Sequence, residues 1–464
     1  MIAADAIVPG LVEFLPRQRW YGGVDAPGHL EVVRTEVMRE EWPALVGFVV
    51  EADGARYQVV VGLRPIDEHV ELFRGHDDAF IGEVATDRGP ALAYEATADP
   101  DLGLAILEHV TAGREPAERV RPVGVEQSNT SLVYDDRLIL KLFRRLQPGP
   151  NPEVEITERL AAMGFEHVAA PVASTAYDGT HLAVVQAYLL GGTEGWAMAL
   201  TSLRDLFGVH DTQPLPVIDP NAPPPMADPG EAGGDFSGEA ERLGVVTAKL
   251  HLALAEAFGK QPGDPSKWSE SIAAQAAALP AGDLDPETPR AVLRAMHDVA
   301  DAGSSIRVHG DYHLGQVMRT DAGWFVLDFE GEPIRPVAER RRPTSPLRDV
   351  AGMLRSFHYA SMSGLADRSD IEVAEAWEQR NRGAFLDGYL SEASKGDIVP
   401  SDEGSIDAVL SGFELEKAVY ELGYEKAHRP NWIGIPRAAL RRLTQKRHGD
   451  GVPTDEPLTK RTAP

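Results

Sequence analysis

Two stretches carry residue types that could do chemistry together: Val308-His309-Gly310-Asp311-Tyr312-His313-Leu314-Gly315-Gln316 and Trp324-Phe325-Val326-Leu327-Asp328-Phe329-Glu330. An aspartate is followed five residues later by an amide and seventeen residues later by a second aspartate. That order suits phosphoryl transfer, in which one carboxylate receives the proton of an attacking hydroxyl while an amide oxygen and a second carboxylate hold Mg²⁺ on nucleotide phosphates. Gln316 stands where Asn is usual; it offers the same hard carbonyl oxygen on a longer arm. Taken singly, His-Gly-Asp and Asp-Phe-Glu are turn signals. In this order, with Thr320-Asp321-Ala322-Gly323 as a turn between two short apolar runs, they point to the transfer chemistry.

Such a loop needs a second element to hold the nucleotide. Ser131-Leu132-Val133-Tyr134 and Leu138-Ile139-Leu140-Lys141-Leu142-Phe143 read as a β-hairpin around Asp135-Asp136-Arg137. Alternation puts Leu138, Leu140 and Leu142 on one face and Ile139, Lys141 and Phe143 on the other. A lysine inside an apolar strand is costly unless it meets an anion. ATP phosphates would supply one, with a helix carboxylate to hold the amine; the other reading is a side chain that snorkels at a sheet edge. Asn151-Pro152-Glu153-Val154-Glu155-Ile156 predicts a capped helix start that offers Glu155 or Glu153 as the partner. Glu126-Gln127-Ser128-Asn129-Thr130-Ser131 precedes the hairpin, and Ser128, Asn129 and Ser131 with their backbone N–H groups are the candidate phosphate cradle. His181 to Leu189 reads as a strand ending in Gly191-Gly192, a hinge at which backbone groups of Gln186 to Tyr188 would meet an adenine edge. Neither the Walker nor the dinucleotide glycine motif occurs.

The 464 residues suffice for two or three domains. A formal charge of −27, from 45 basic and 72 acidic residues, argues against nucleic acid and anionic membranes as partners. Cysteine is absent, so disulfides, thiolate metal sites and thiol nucleophiles are excluded. No basic region precedes an apolar core at the N-terminus, and the longest apolar runs fall short of the roughly 18 residues of a membrane span. The expectation is a soluble, cytoplasmic protein.

Along the chain, residues 1–88 read as a small sheet-rich module. Its one pointed feature, Gln18-Arg19-Trp20-Tyr21-Gly22-Gly23, reads as packing. A helical pattern is predicted from Pro90 to His109, with Leu102, Ala105, Ile106 and His109 on one face. Residues 89–192 form the expected nucleotide lobe and 193–464 a helical lobe, interrupted at 211–233 by a Pro-rich surface excursion. Asp349 is expected to cap a helix or to brace the loop backbone. Near the C-terminus, Leu415, Ala418, Val419 and Leu422 share one helix face, and Lys417, Tyr420, Glu421 and Tyr424 share another. Charges alternating with rings suit a sugar, whose hydroxyls need hydrogen bonds and whose C–H faces stack; many solvated helices look the same.

With these residues assembled, the chain resembles the maltokinases. The matching pieces are Gln18 to Gly23, Glu126 to Ser131, Leu140 to Arg145, Glu194 to Ala199, Gly233 to Phe236, Val308 to Gln316, Leu327 to Pro333, Arg348 to Phe357 and Glu416 to Pro436. The resemblance implies an α+β, bilobal, eukaryotic-protein-kinase-like fold with an N-terminal cap subdomain, a sheet-containing N-lobe and a mainly helical C-lobe. It implies ATP and Mg²⁺ as cofactors, with Asp311 as base, Gln316 and Asp328 on the metal and Lys141 on the phosphates. Lys417 and Tyr420 become disaccharide contacts, and His313 and Glu330 join the candidates around the acceptor. Maltose would be the acceptor, maltose 1-phosphate the product and a trehalose synthase the partner, in a route to α-glucan. The alternatives are a related kinase acting on glucosamine or an aminoglycoside, and a nucleotide-binding scaffold without catalysis.

Overall fold

The computed structural model describes residues 2–66, 77–124, 128–212, 235–280, 284, 287–332, 335–365 and 370–449. The Pro-rich excursion, from 213 onward, lies outside them, as do Glu126, Gln127, Gly233, Gly234 and Pro333. The architecture is α+β, a sheet-rich N-terminal region followed by a helical C-terminal one. The chain divides into two compact units, Met1–Gly192 with Phe325–Arg340, and Thr193–Trp324 with Arg341–Pro464.

The first unit contains two antiparallel sheets. One runs in the order Leu30–Arg39, Ala44–Ala52, Ala55–Pro65, Gly89–Glu95, Phe80–Thr86, with Arg145–Leu146 pairing on Ala55–Pro65. Its central strands are apolar without alternation because both faces are covered. Val46, Phe48 and Val50 enter a core with Ile7, Leu11 and Phe14 of helix Ala4–Phe14, whereas Leu45 and Val60 enter one shared with the second sheet. That second sheet has the order Pro171–Tyr177, Thr180–Ala187, Leu138–Phe143, Asn129–Tyr134, Val120–Pro122. The predicted hairpin turns through Asp135-Asp136-Arg137, with Asp135 and Asp136 both left-handed at φ 51 and 54 and Arg137 N–H donating back to the Tyr134 carbonyl at 2.9 Å. Leu138, Leu140 and Leu142 enter one core and Phe143 another, so Lys141 projects from the face that the alternation assigned to it.

One local expectation fails here. The helix predicted from Pro90 begins only at Pro100, capped by Asp99, whose side chain accepts from Asp101 N–H. Gly89–Glu95 is instead a strand hydrogen-bonded on both sides, a tertiary gain that overrides a local helical period.

The second unit is built on helices Gly195–Thr212, Ser237–Phe258, Pro265–Ala277, Glu287–His297, Leu347–Leu365, Ile371–Ala393, Glu403–His428 and Gly434–Gly449. Ser237–Phe258 and Ile371–Ala393 cross at bare backbone: a Cβ on Gly244 would lie 2.1 Å from the Phe385 carbonyl oxygen, and one on Gly388 equally close to that of Glu241. Among the described residues, no helix is long and apolar enough to cross a membrane.

A buried charged cluster gives this unit a pH signature. His358 Nδ1 lies 2.7 Å from Glu378 Oε2, and Arg442 reaches both residues. Burial, aided by the charges of Arg355 and Arg442, pushes His358 down to about 4 despite Glu378. The unfolded chain, with His near 6.5, therefore binds the proton more readily than the folded one. Stability is expected to be full above about pH 6.5 and to decline progressively toward pH 4, as urea midpoints across that range would show. His358→Gln should flatten the slope.

Candidate active site

In the first unit the chemistry centres on Lys141. Its Nζ donates to Glu153 Oε2 at 2.7 Å and Asp328 Oδ1 at 3.0 Å, and lies 3.1 Å from Glu330 Oε1. Burial alone would discharge the amine, but the three carboxylates outweigh it and hold its pKa well above the usual lysine value. Burial, with crowding by Asp328 and Glu330, keeps Glu153 above the usual carboxylate range against the pull of Lys141. Three carboxylates around one ammonium leave an excess of negative charge. Their oxygens lie within 4.8 Å of one another, a hard-oxygen set that fits a divalent cation such as Mg²⁺. Asp328 sits in the left-handed region at φ 57, a backbone conformation that costs energy and that surrounding structure must hold.

Of the two candidate partners, Glu155 and Glu153, it is Glu153 that meets Lys141. Asn151 caps the helix Pro152–Ala162 by accepting from Glu153 N–H, which fixes the first turn so that Glu153 is buried and meets the amine. Asn129 and Ser131 pair across the ladder with Phe143 and Lys141, so their side chains share the lysine's face. Asn129 Nδ2 donates to Glu330 Oε1 at 3.0 Å; Ser131 is buried in its strand, whereas Ser128 is exposed. The hinge reading needs correction. Tyr188 N–H donates to the Arg137 carbonyl at 2.8 Å, and Gln186 pairs with Ile139 and Pro171, so this backbone is engaged within the lobe rather than offered to a base. Arg340, which the sequence reading passed over, donates to the Glu330 carbonyl and to Gln147 Oε1. The run Arg340-Arg341-Arg342 in so acidic a chain was its signal.

In the second unit the loop after strand Ser304–Ile306 is pinned from beneath. Asp349 accepts His309 N–H at 2.7 Å and Gly310 N–H at 2.9 Å, taking the bracing role expected of it. His251 Nε2 lies 3.1 Å from the same carboxylate, and its Nδ1 faces Tyr389 Oη at 3.0 Å. Burial raises the Asp349 pKa, but the His251 hydrogen bond, nearby His charge and the Gly310 N–H outweigh it and hold the carboxylate ionised. Gly310, at φ 88, supplies the left-handed turn that brings both N–H groups onto one carboxylate. Asp349→Ala leaves these donors buried without an acceptor and is expected to destabilise the protein by about 3 kcal/mol, measured as a urea-midpoint shift; Asp349→Asn should lose less.

Asp311 follows this turn. Lys417 Nζ donates to its Oδ1 at 3.1 Å, and His313 Nε2 lies 4.0 Å from Oδ2. His313 Nδ1 accepts from Gly315 N–H and so caps the short turn Leu314–Gln316. Lys417 lies 5.3 Å from the Tyr420 ring centre, and the rings of Tyr420 and Tyr424 stack at 6.3 Å. Glu421 departs from the face assigned to it: it is buried, and its carboxylate pairs with Arg355 at 2.7 Å. The other glutamates from 414 to 425 are also claimed by arginines, Glu414 by Arg382, Glu416 by Arg348 and Glu425 by Arg429. Lys417 and rings therefore form the surface beside Asp311, with the carboxylates turned to arginines.

Residues 14–99 match the maltokinase N-terminal cap domain family, and residues 228–385 match the phosphotransferase enzyme family. The chain is 29% identical over 425 residues to a protein of Streptacidiphilus jiangxiensis named glucosamine kinase, covering 87% of this chain and 90% of that one. It is 27% identical over 346 residues to one of the same name from Mycolicibacterium smegmatis, covering 70% and 80%. A solved structure of glucosamine kinase with glucosamine, ADP and inorganic phosphate superposes with a TM-score of 0.64 at 23% identity, covering 93% of this chain and 98% of that one, a likeness of fold.

Proposed function

We propose, for a chain that matches the maltokinase N-terminal cap domain family over residues 14–99 and the phosphotransferase enzyme family over residues 228–385, that it moves the γ-phosphoryl group of ATP to the anomeric hydroxyl of maltose. The observation that carries the choice of acceptor is the ion pair of Lys417 with Asp311. An amine-bearing acceptor needs a carboxylate beside it, yet the glutamates of that helix stretch are held by arginines and a second ammonium stands at the base. A neutral disaccharide suits such a wall, its hydroxyls taking the Lys417 donors and its C–H faces resting on Tyr420 and Tyr424.

In this reading Asp311 orients the acceptor hydroxyl and takes its proton as the oxygen attacks phosphorus. Lys417 limits the freedom of that carboxylate and donates to the sugar. Lys141 neutralises phosphate oxygens, and Asn129 keeps Glu330 aligned beside it. Asp328 and Gln316 would hold Mg²⁺, which offsets phosphate charge when bound. A trehalose synthase would supply the maltose.

The names of the two relatives favour a second reading, phosphorylation of glucosamine. Lys417→Met separates the two. For a maltose enzyme it is expected to raise the maltose KM by about tenfold or more with little change in the ATP KM, whereas a glucosamine enzyme relieved of a like charge would bind its acceptor more tightly.

A further inference from the structure

The segment read as packing near the N-terminus does two things. Trp20 does pack: it is buried, 6.1 Å from the Tyr57 ring, with the Arg144 guanidinium 5.3 Å from its own ring centre. Arg19 does not. It is exposed and lines a cavity of about 200 Å³ together with Arg145, Arg340, Ser128 and the start of helix Pro152–Ala162.

With 72 acidic against 45 basic residues, many arginines find carboxylates, as Arg64 finds Asp99 and Arg144 finds Glu95, and others turn to backbone carbonyls, as Arg88 does to Glu40 and Arg114 to Thr111. Among the described residues, neither Arg19 nor Arg145 forms an ion pair. Arg145 lies against Gly22, where an added Cβ would stand 3.3 Å from Nη1. Arg340 spends Nη1 and Nη2 on the Glu330 carbonyl and Gln147, while its Nε is buried with no acceptor. The one carboxylate in the lining, Glu330, is already held by Lys141 and Asn129. Three guanidinium groups are thus gathered at one cavity in which Glu330 is the single carboxylate among the described lining residues.

We propose that this cavity is a phosphate subsite, in which Arg19, Arg145 and Arg340 take a terminal phosphate dianion. Guanidinium forks suit such an anion because paired N–H groups match two phosphate oxygens. The Ser128 hydroxyl and the positive end of the helix beginning at Pro152 add to the attraction. Two sources share this chemistry, the terminal phosphoryl group of the nucleotide and a free phosphate. The cap would in either case contribute to ligand binding through Arg19. The inference holds whichever hydroxyl the enzyme phosphorylates.

The test is isothermal titration of the full chain and of Arg19→Ala/Arg145→Ala with ATP, with ADP, and with inorganic phosphate in saturating ADP. Both side chains are exposed, so the melting temperature without ligand should not move. A loss of about tenfold or more in ATP affinity with ADP affinity unchanged assigns the subsite to the terminal phosphoryl group. Phosphate that binds the wild type beside ADP and no longer binds the variant assigns it to free phosphate. Arg19→Lys/Arg145→Lys should keep part of either affinity, since charge persists without the fork. Equal weakening of ATP and ADP, or affinities for all three ligands within twofold of wild type, would overturn the proposal.

Discussion

Asp311→Asn is expected to fold as the wild type does and to lower kcat by roughly 10²–10⁴-fold, the usual worth of a positioned base. The amide fills the same volume and can still receive the Lys417 hydrogen bond through its oxygen, so acceptor and nucleotide KM should change little. What it cannot do is take the hydroxyl proton as the new bond to phosphorus forms. Initial rates at saturating ATP and acceptor, beside a urea denaturation curve, separate the two effects. A variant within fivefold of wild-type kcat would remove Asp311 from the role of base.

Lys141→Met should cost both stability and turnover. The amine satisfies Glu153, Asp328 and Glu330 together, and its removal leaves a buried carboxylate with no cation. Breaking a buried pair from one side costs several kcal/mol; with Lys141 partly accessible from the lobe surface, about 3 kcal/mol is expected. Glu153→Gln in the same chain relieves the stranded charge and should restore most of the stability. It should not restore activity, because the ammonium that Lys141 is proposed to set on the phosphates is still missing. Recovery of turnover in the double variant would contradict the role given to Lys141.

The sequence made the Lys141 face and the Asp311 loop legible because both rest on local rules. Strand alternation decides which way Lys141 points, and the spacing of Asp311, Gln316 and Asp328 lies within one loop and hairpin. Asp349 was legible as a brace for a similar reason: an acidic residue opening a helix soon after the loop has few other tasks. What stayed hidden depended on distant partners. Glu153 and Glu155 differ only in helix phase, and the Asn151 cap together with strand Leu138–Phe143 decides between them. Glu421 was placed on the acceptor face from periodicity, but Arg355, 66 residues away in the chain, draws it into the interior. The strand Gly89–Glu95 exists because neighbours on both sides accept its hydrogen bonds. Arg19 was grouped with the aromatic residues around it, and only its place in the lining of a cavity with Arg145 and Arg340 sets it apart.

One assay identifies the acceptor. The purified chain with Mg-ATP is offered maltose, glucose, trehalose, glucosamine and kanamycin in parallel, and the phosphorylated product is quantified for each. Maltose is expected to give the highest kcat/KM, with a product that carries phosphate on the anomeric carbon. Turnover confined to glucosamine would contradict the maltose reading and show that the Lys417 wall does not select against an amine.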